Sequence, residues 1–80
     1  MINRISLQEI IRNAIVKMGG NGTIVAVAKY IWENHENDLK DSGDVFYTWQ
    51  YDMRWAAMKL REKDILKQAS DSPKGVWILK

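Results

Sequence analysis

Tyr51-Asp-Met-Arg-Trp-Ala-Ala-Met-Lys-Leu-Arg-Glu-Lys-Asp-Ile-Leu66, followed shortly by Ser72-Pro-Lys-Gly-Val-Trp-Ile-Leu79, decides how this chain folds. Trp49, Met53, Ala56, Ala57 and Leu60 recur at i, i+4, i+7, i+8 and i+11, the spacing of one helix face, and predict a helix over about Val45–Lys63. The opposite face collects Tyr47, Gln50, Tyr51, Arg54, Met58 and Arg61. Trp55 falls on a flank, where it is expected to pack under the C-terminal hairpin or the 36–44 loop. Asp64 stands where the helix must end, and Asp tolerates a left-handed backbone better than most side chains. Ile65–Ala69 and Val76–Leu79 then read as two short strands, with Ser70–Gly75 as the loop between them.

Upstream, Ser6 with Glu9 three residues on reads as a capping box, with Ile5 and Ile10 at the staple positions. Leu7, Ile10, Ile11, Ala14, Ile15 and Met18 form one apolar stripe of a first helix, which Gly19-Gly20 stops. Thr23-Ile24 fits either a short strand or the cap of a second helix running from about Val25 to His35. Val27, Ala28, Ile31 and Trp32 form its buried face. His35 reads as a residue favourably placed at the helix dipole or as a partly buried His, and without a second His a metal site is not expected. Glu36–Asp44 is polar and acidic, with Leu39 as an anchor, Ser42-Gly43 as a break and Asp44 placed to cap the third helix.

The 80 residues allow a single domain, 1–80. Four Trp, three Tyr and one Phe give a small core enough large side chains, but a domain this small buries only roughly 60% of its unfolded surface, so its stability is expected to be modest unless it dimerises. The absence of Cys excludes a disulfide, a thiolate metal site and a thiol nucleophile. No apolar run approaches the ~18 residues that a membrane span needs. The N-terminus lacks the apolar segment of a signal peptide, so the expected setting is the cytoplasm, with no membrane partner. There is no nucleophile with a nearby base, no Gly-rich phosphate loop and one His, so neither catalysis nor a cofactor is expected. Asp38, Asp41 and Asp44 lack the Gly and terminal Glu of a calcium loop and read as a solvated turn.

Three helices plus a two-stranded hairpin, or three strands with Thr23-Ile24, make an α+β fold that is mostly helical. In this order the elements read as a winged helix-turn-helix, here with an unusually long connector between the second and third helices. The second helix of such a pair enters the major groove of DNA. The outer face of the third helix has matching chemistry. Arg54 and Arg61 suit phosphates or guanine edges, and Gln50 suits adenine. Tyr47 and Tyr51 can donate to phosphate or pack on thymine methyls, and Lys74 at the hairpin tip reaches neighbouring phosphates. The candidate contact set is therefore Tyr47, Gln50, Tyr51, Arg54, Arg61 and Lys74, with double-stranded DNA as the partner and no small-molecule substrate.

A solvated helix surface would carry the same residue types, and Arg54 and Arg61 could equally pair with the acidic 36–44 segment. The net charge of +2 is unevenly spread. Arg4, Arg12, Lys17 and Lys29 against Glu9 give residues 1–32 a charge of +3. Residues 33–44 carry −4 and residues 45–80 carry +3, so a polyanion would meet the C-terminal half and be repelled by the middle.

Several of these residues carry a family likeness. Leu39-x-x-Ser42-Gly43, Met53-Arg54-Trp55-Ala56-x-x-x-Leu60, Ile65-Leu66 and Ser72-Pro73-Lys74-Gly75-Val76-Trp77-x-Leu79 together resemble the N-terminal winged-helix domain of Mrr-type restriction proteins, over about residues 23–80. Asp64 stands where that family usually has Gly, which is sterically tolerable. The nuclease domain that follows in Mrr proteins has no counterpart among these residues. The resemblance thus implies DNA binding without cleavage, through helix 3 and the wing. The competing expectation is a protein-interaction module or homodimer that docks through Tyr51, Trp55 and Met58.

Overall fold

The computed structural model describes all of residues 1–80. Three helices and a two-stranded antiparallel sheet follow in the order α1 (Ser6–Lys17), β1 (Asn21–Thr23), α2 (Ile24–Lys40), α3 (Val45–Glu62) and β2 (Val76–Ile78), with a 3-10 turn at Ala69–Asp71. The fold is α+β and mostly helical, and no helix is long and apolar enough to cross a membrane.

The apolar stripe of α1 is buried as its spacing predicts, with Leu7, Ile11, Ala14 and Ile15 almost wholly enclosed. Its side-chain cap lies upstream of the Ser6–Glu9 reading. Asn3 Oδ1 accepts from the Ser6 amide at 2.8 Å, and Ser6 Oγ accepts from the Asn3 amide at 2.9 Å. The reciprocal cap is therefore Asn3–Ser6, because Asn is as strong a capping residue as Ser and Ser6 can reach back to it. The staple positions move with it: Ile5 is exposed, while Ile2 and Leu7 are both in the core.

α1 and α3 end in the same way. Gly20 N donates to Ile15 O at 2.9 Å and Gly19 N to Val16 O at 3.1 Å. Ile65 N donates to Leu60 O at 2.9 Å and Asp64 N to Arg61 O at 3.0 Å. Both are Schellman closures, which need a left-handed residue just past the helix. Gly19 supplies it at φ 93° and Asp64 at φ 65°.

Thr23 satisfies both readings of its position. It ends β1, and its Oγ1 accepts from Ala26 N at 3.0 Å to cap α2. α2 then continues beyond His35, where the backbone kinks at φ −132°, as far as Lys40. The acidic stretch is thus partly helical, because fully buried Leu39 holds it against the core. Ser42 Oγ accepts from Ile2 N at 2.7 Å and donates to Asp38 O, knotting the N-terminus to the end of α2. The connector to α3 shrinks to Asp41–Asp44, with Gly43 at φ 63°, so the long connector expected from the sequence is not found. Asp44 makes no side-chain cap to α3.

The sheet differs most from expectation. β2 pairs with β1, in the register Asn21↔Ile78, Gly22↔Trp77 and Thr23↔Val76. The 65–69 arm adds only a bridge, Leu66↔Leu79, with Lys67 N donating to Ile78 O at 2.8 Å. β2 therefore runs between β1 and this arm rather than closing a two-strand hairpin. The arm leaves the ladder early because Ala69–Asp71 coils into the 3-10 turn, where Ser72 Oγ donates to Gln68 O at 2.9 Å. Gly22 has no side chain where a Cβ would meet Met18 and Val27, so these two close over the strand.

One core joins all the elements. Trp49, Met53, Ala56, Ala57 and Leu60 of α3 are buried as the spacing requires, together with Leu66 and Trp77. α3 also buries a charge. Asp52 accepts from Arg4 at 3.2 Å and from Thr48 Oγ1 at 2.8 Å. Arg4 is half exposed, so this pair orients the N-terminus more than it stabilises the fold.

Candidate nucleic-acid interface

α3 carries five of the six candidate contacts at steps of three, four and seven residues, which place them on one outward face. Their burial divides them. Tyr47 is 83% exposed and Tyr51 is 71% exposed, and Gln50 and Arg54 also face solvent. The Arg54 side chain makes no ion pair or hydrogen bond within the protein. The N-terminal half of α3 is thus an open ridge of two phenols, an amide and a guanidinium.

Arg61, one further turn pair along, is different. Its Nε donates to Lys67 O at 3.0 Å and its Nη2 to Val76 O at 3.4 Å. Gln68 Nε2 returns a bond to Arg61 O at 2.8 Å. The half-buried guanidinium therefore bridges the two arms of the C-terminal loop and fixes them on α3. Only its remaining N–H groups are left for a partner.

Lys74 is exposed in the loop before β2, without an ion-pair partner. The next residue, Gly75, turns at φ 74° and accepts from Ile24 N at 3.0 Å. That bond sets the loop tip beside the N-terminus of α2. Ile24 and Arg54 in turn line the same two grooves, one between α2 and α3 and the other between α3 and the C-terminal loop. Gly75, the neighbour of Lys74, and Arg54 thus both lie next to Ile24.

The acidic segment does not cover this side. Glu36 pairs with Lys40 of its own segment at 2.7 Å, and no carboxylate of residues 33–44 pairs with α3. Trp55, expected under the hairpin or the 36–44 loop, lies half-buried beneath two cations, with Arg4 Cζ at 4.7 Å and Lys59 Nζ at 5.5 Å from its ring centre. It is largely taken out of the Tyr51–Trp55–Met58 patch, leaving Tyr51 and half-exposed Met58.

Lys29 is a member of this surface that the sequence reading passed over. It is exposed on α2, unpaired, and lines the α2–α3 groove with Gln50 and Arg54. Its signal was present, since it lies four residues after exposed Val25 on the side of α2 away from Val27 and Ile31. Only the α2–α3 packing shows that this side faces the ridge. The chain matches no family model, no curated protein and no solved structure.

Proposed function

We propose that this chain is a winged-helix module that binds double-stranded DNA without cutting it. The N-terminal half of α3 lies in the major groove, and the Lys74 turn rests on the phosphate backbone. The observation that carries this reading is the open face of Tyr47, Gln50, Tyr51 and Arg54, whose side chains make no hydrogen bond or ion pair within the protein, to the acidic segment or elsewhere. Arg54 suits a guanine edge or phosphate and Gln50 an adenine edge, and one helix fits the ~12 Å major groove.

Two features of the architecture support it. α2 and α3 are joined by four residues that include a left-handed glycine, the connection of a helix-turn-helix pair. The C-terminal strand lies between β1 and the arm that leaves α3, the strand order of a small wing, and the 67–75 loop joins the two. The likeness to the N-terminal domain of Mrr-type restriction proteins points the same way, but mostly through residues that hold the fold. Leu39, Met53, Ala56, Leu60, Leu66 and Trp77 are buried, and Ser42 is occupied in tying down the N-terminus.

The test is duplex binding followed by fluorescence anisotropy at several salt concentrations. Each phosphate neutralised adds about −0.9 to the log–log slope, so Lys29, Arg54 and Lys74 together give a slope of roughly −2 to −3. Replacing Arg54 by Ala weakens binding by about 1–3 kcal/mol where it reads a base. Equal affinity for wild type and Arg54→Ala removes α3 from the contact surface.

Exposed Tyr51 and Met58 favour a second reading, docking onto another protein or another copy of this chain. That complex would be insensitive to salt and disrupted by Met58→Asp. A protein that stays monomeric in light scattering at high concentration while shifting with duplex DNA argues against this reading.

A further inference from the structure

The groove between α2 and α3 is chemically distinct from the ridge beside it. It is an open groove of about 620 Å³, a volume within the usual range for small-molecule sites. Tyr47 and Tyr51, the aromatics of the ridge, do not line it. Its aromatic wall is Trp32 and Phe46, both half-buried, with Trp49 beneath. Trp32 stacks on Trp49 with centroids 6.3 Å apart and an interplanar angle of 11°, and Phe46 tilts against Trp32 at 6.3 Å. The interlocked rings form a preformed apolar wall.

The charge at its rim has one sign. Lys29 and Arg54 line the groove, and neither has an ion-pair partner. No carboxylate lines it, and the third polar residue, Gln50, supplies an amide donor. A neutral apolar guest would make no use of the two cations, and a bare inorganic anion would leave the ring wall unused.

We propose that this groove binds a small planar aromatic anion, its ring against Trp32 and Phe46 and its acid group at the Lys29–Arg54 rim. Offset or edge-on ring packing and charge-assisted hydrogen bonds then act at the same time. This site goes beyond the DNA reading and stands without it. Where the DNA reading holds, the anion takes Arg54 and Gln50 from the duplex, so that ligand and DNA compete.

The test is an amide and indole NMR titration with 2-naphthoate, repeated with the neutral 2-naphthamide. Saturable shifts are expected for α2 around Val25–Trp32 and for α3 around Phe46–Arg54. The acid should bind at least about fivefold more tightly than the amide, the scale of two partly solvated charge contacts. The double variant Lys29→Met, Arg54→Met should lose that preference while keeping its amide spectrum, since both residues are exposed. Lys17→Met, an unpaired cation on α1, should keep it. The proposal is overturned by shifts that do not saturate, by equal affinity for acid and amide, or by a preference that survives the double variant. Movement of the same signals on raising protein concentration alone would assign the groove to a second copy and also overturn it. These readouts use no DNA, so a failure of duplex binding is seen separately, in the anisotropy titration.

Discussion

The two halves of α3 present the same chemistry in sequence and opposite roles in the fold. Arg54 and Arg61 lie seven residues apart on one face, yet Arg54 is free while Arg61 holds the backbone of the C-terminal loop. The C-terminal half also carries the left-handed exit at Asp64, and its Lys63 Nζ donates to Gln8 of α1 at 2.7 Å. The N-terminal half instead exposes Tyr47, Gln50, Tyr51 and Arg54. One end of the helix is anchored from several sides, and the other is left available to a partner. Charge on a helix face therefore says little about function until its tertiary hydrogen bonds are known.

The strongest way to break this contrast is to remove the anchor. Leu60 is almost fully buried under the C-terminal half, and Leu60→Ala should lower stability by about 2–5 kcal/mol through lost burial and the cavity left behind. Urea unfolding measures it, and a smaller loss would mean that the C-terminal half is less tightly held than its burial implies. Next comes Arg61→Met, which keeps the aliphatic stem but deprives the carbonyls of Lys67 and Val76 of a donor. A loss of about 1–2 kcal/mol is expected, with faster amide exchange at Lys67 and along β2. No change in exchange would return Arg61 to the set of free contacts.

Asp64→Gly runs in the opposite direction. The left-handed conformation costs a residue with a Cβ about 1–2 kcal/mol, and part of that gain is offset by the greater freedom of Gly in the unfolded chain. A rise in stability of up to about 1 kcal/mol is expected, and a fall would show that the exposed Asp64–Lys80 pair matters more than the backbone. The smallest effect belongs to Arg54→Met, which should leave the unfolding free energy within about 0.5 kcal/mol of wild type, as for exposed residues whose side chains make no internal bonds. If it unfolds as readily as Arg61→Met, the two ends of α3 do not differ as described.

The candidate site was only partly legible. Helical spacing alone grouped Tyr47, Gln50, Tyr51, Arg54 and Arg61 on one face, and the structure keeps that grouping. Nothing local to Arg61 announces that its guanidinium meets carbonyls six and fifteen residues further on. Lys29 was missed because its relation to Gln50 and Arg54 exists only across two packed helices. Trp55 finds its cover in Arg4, which is distant in sequence. The capping error at Ser6 has a different source, because Asn3 and Ser6 are both good caps and local preference does not choose between them.

The apolar period of α1 and α3, their stops at Gly19 and Asp64, and the anchor at Leu39 follow from the sequence itself, because each depends on neighbours within a turn or on the need to bury a stripe. The tertiary structure alone decided that β2 pairs with β1, that the 65–69 arm adds a single bridge, and that Arg61 holds the loop while Arg54 stays free. Three-residue strands carry too little pattern to name their partners, and a long cationic side chain bonds to whatever carbonyl the packed backbone brings within reach.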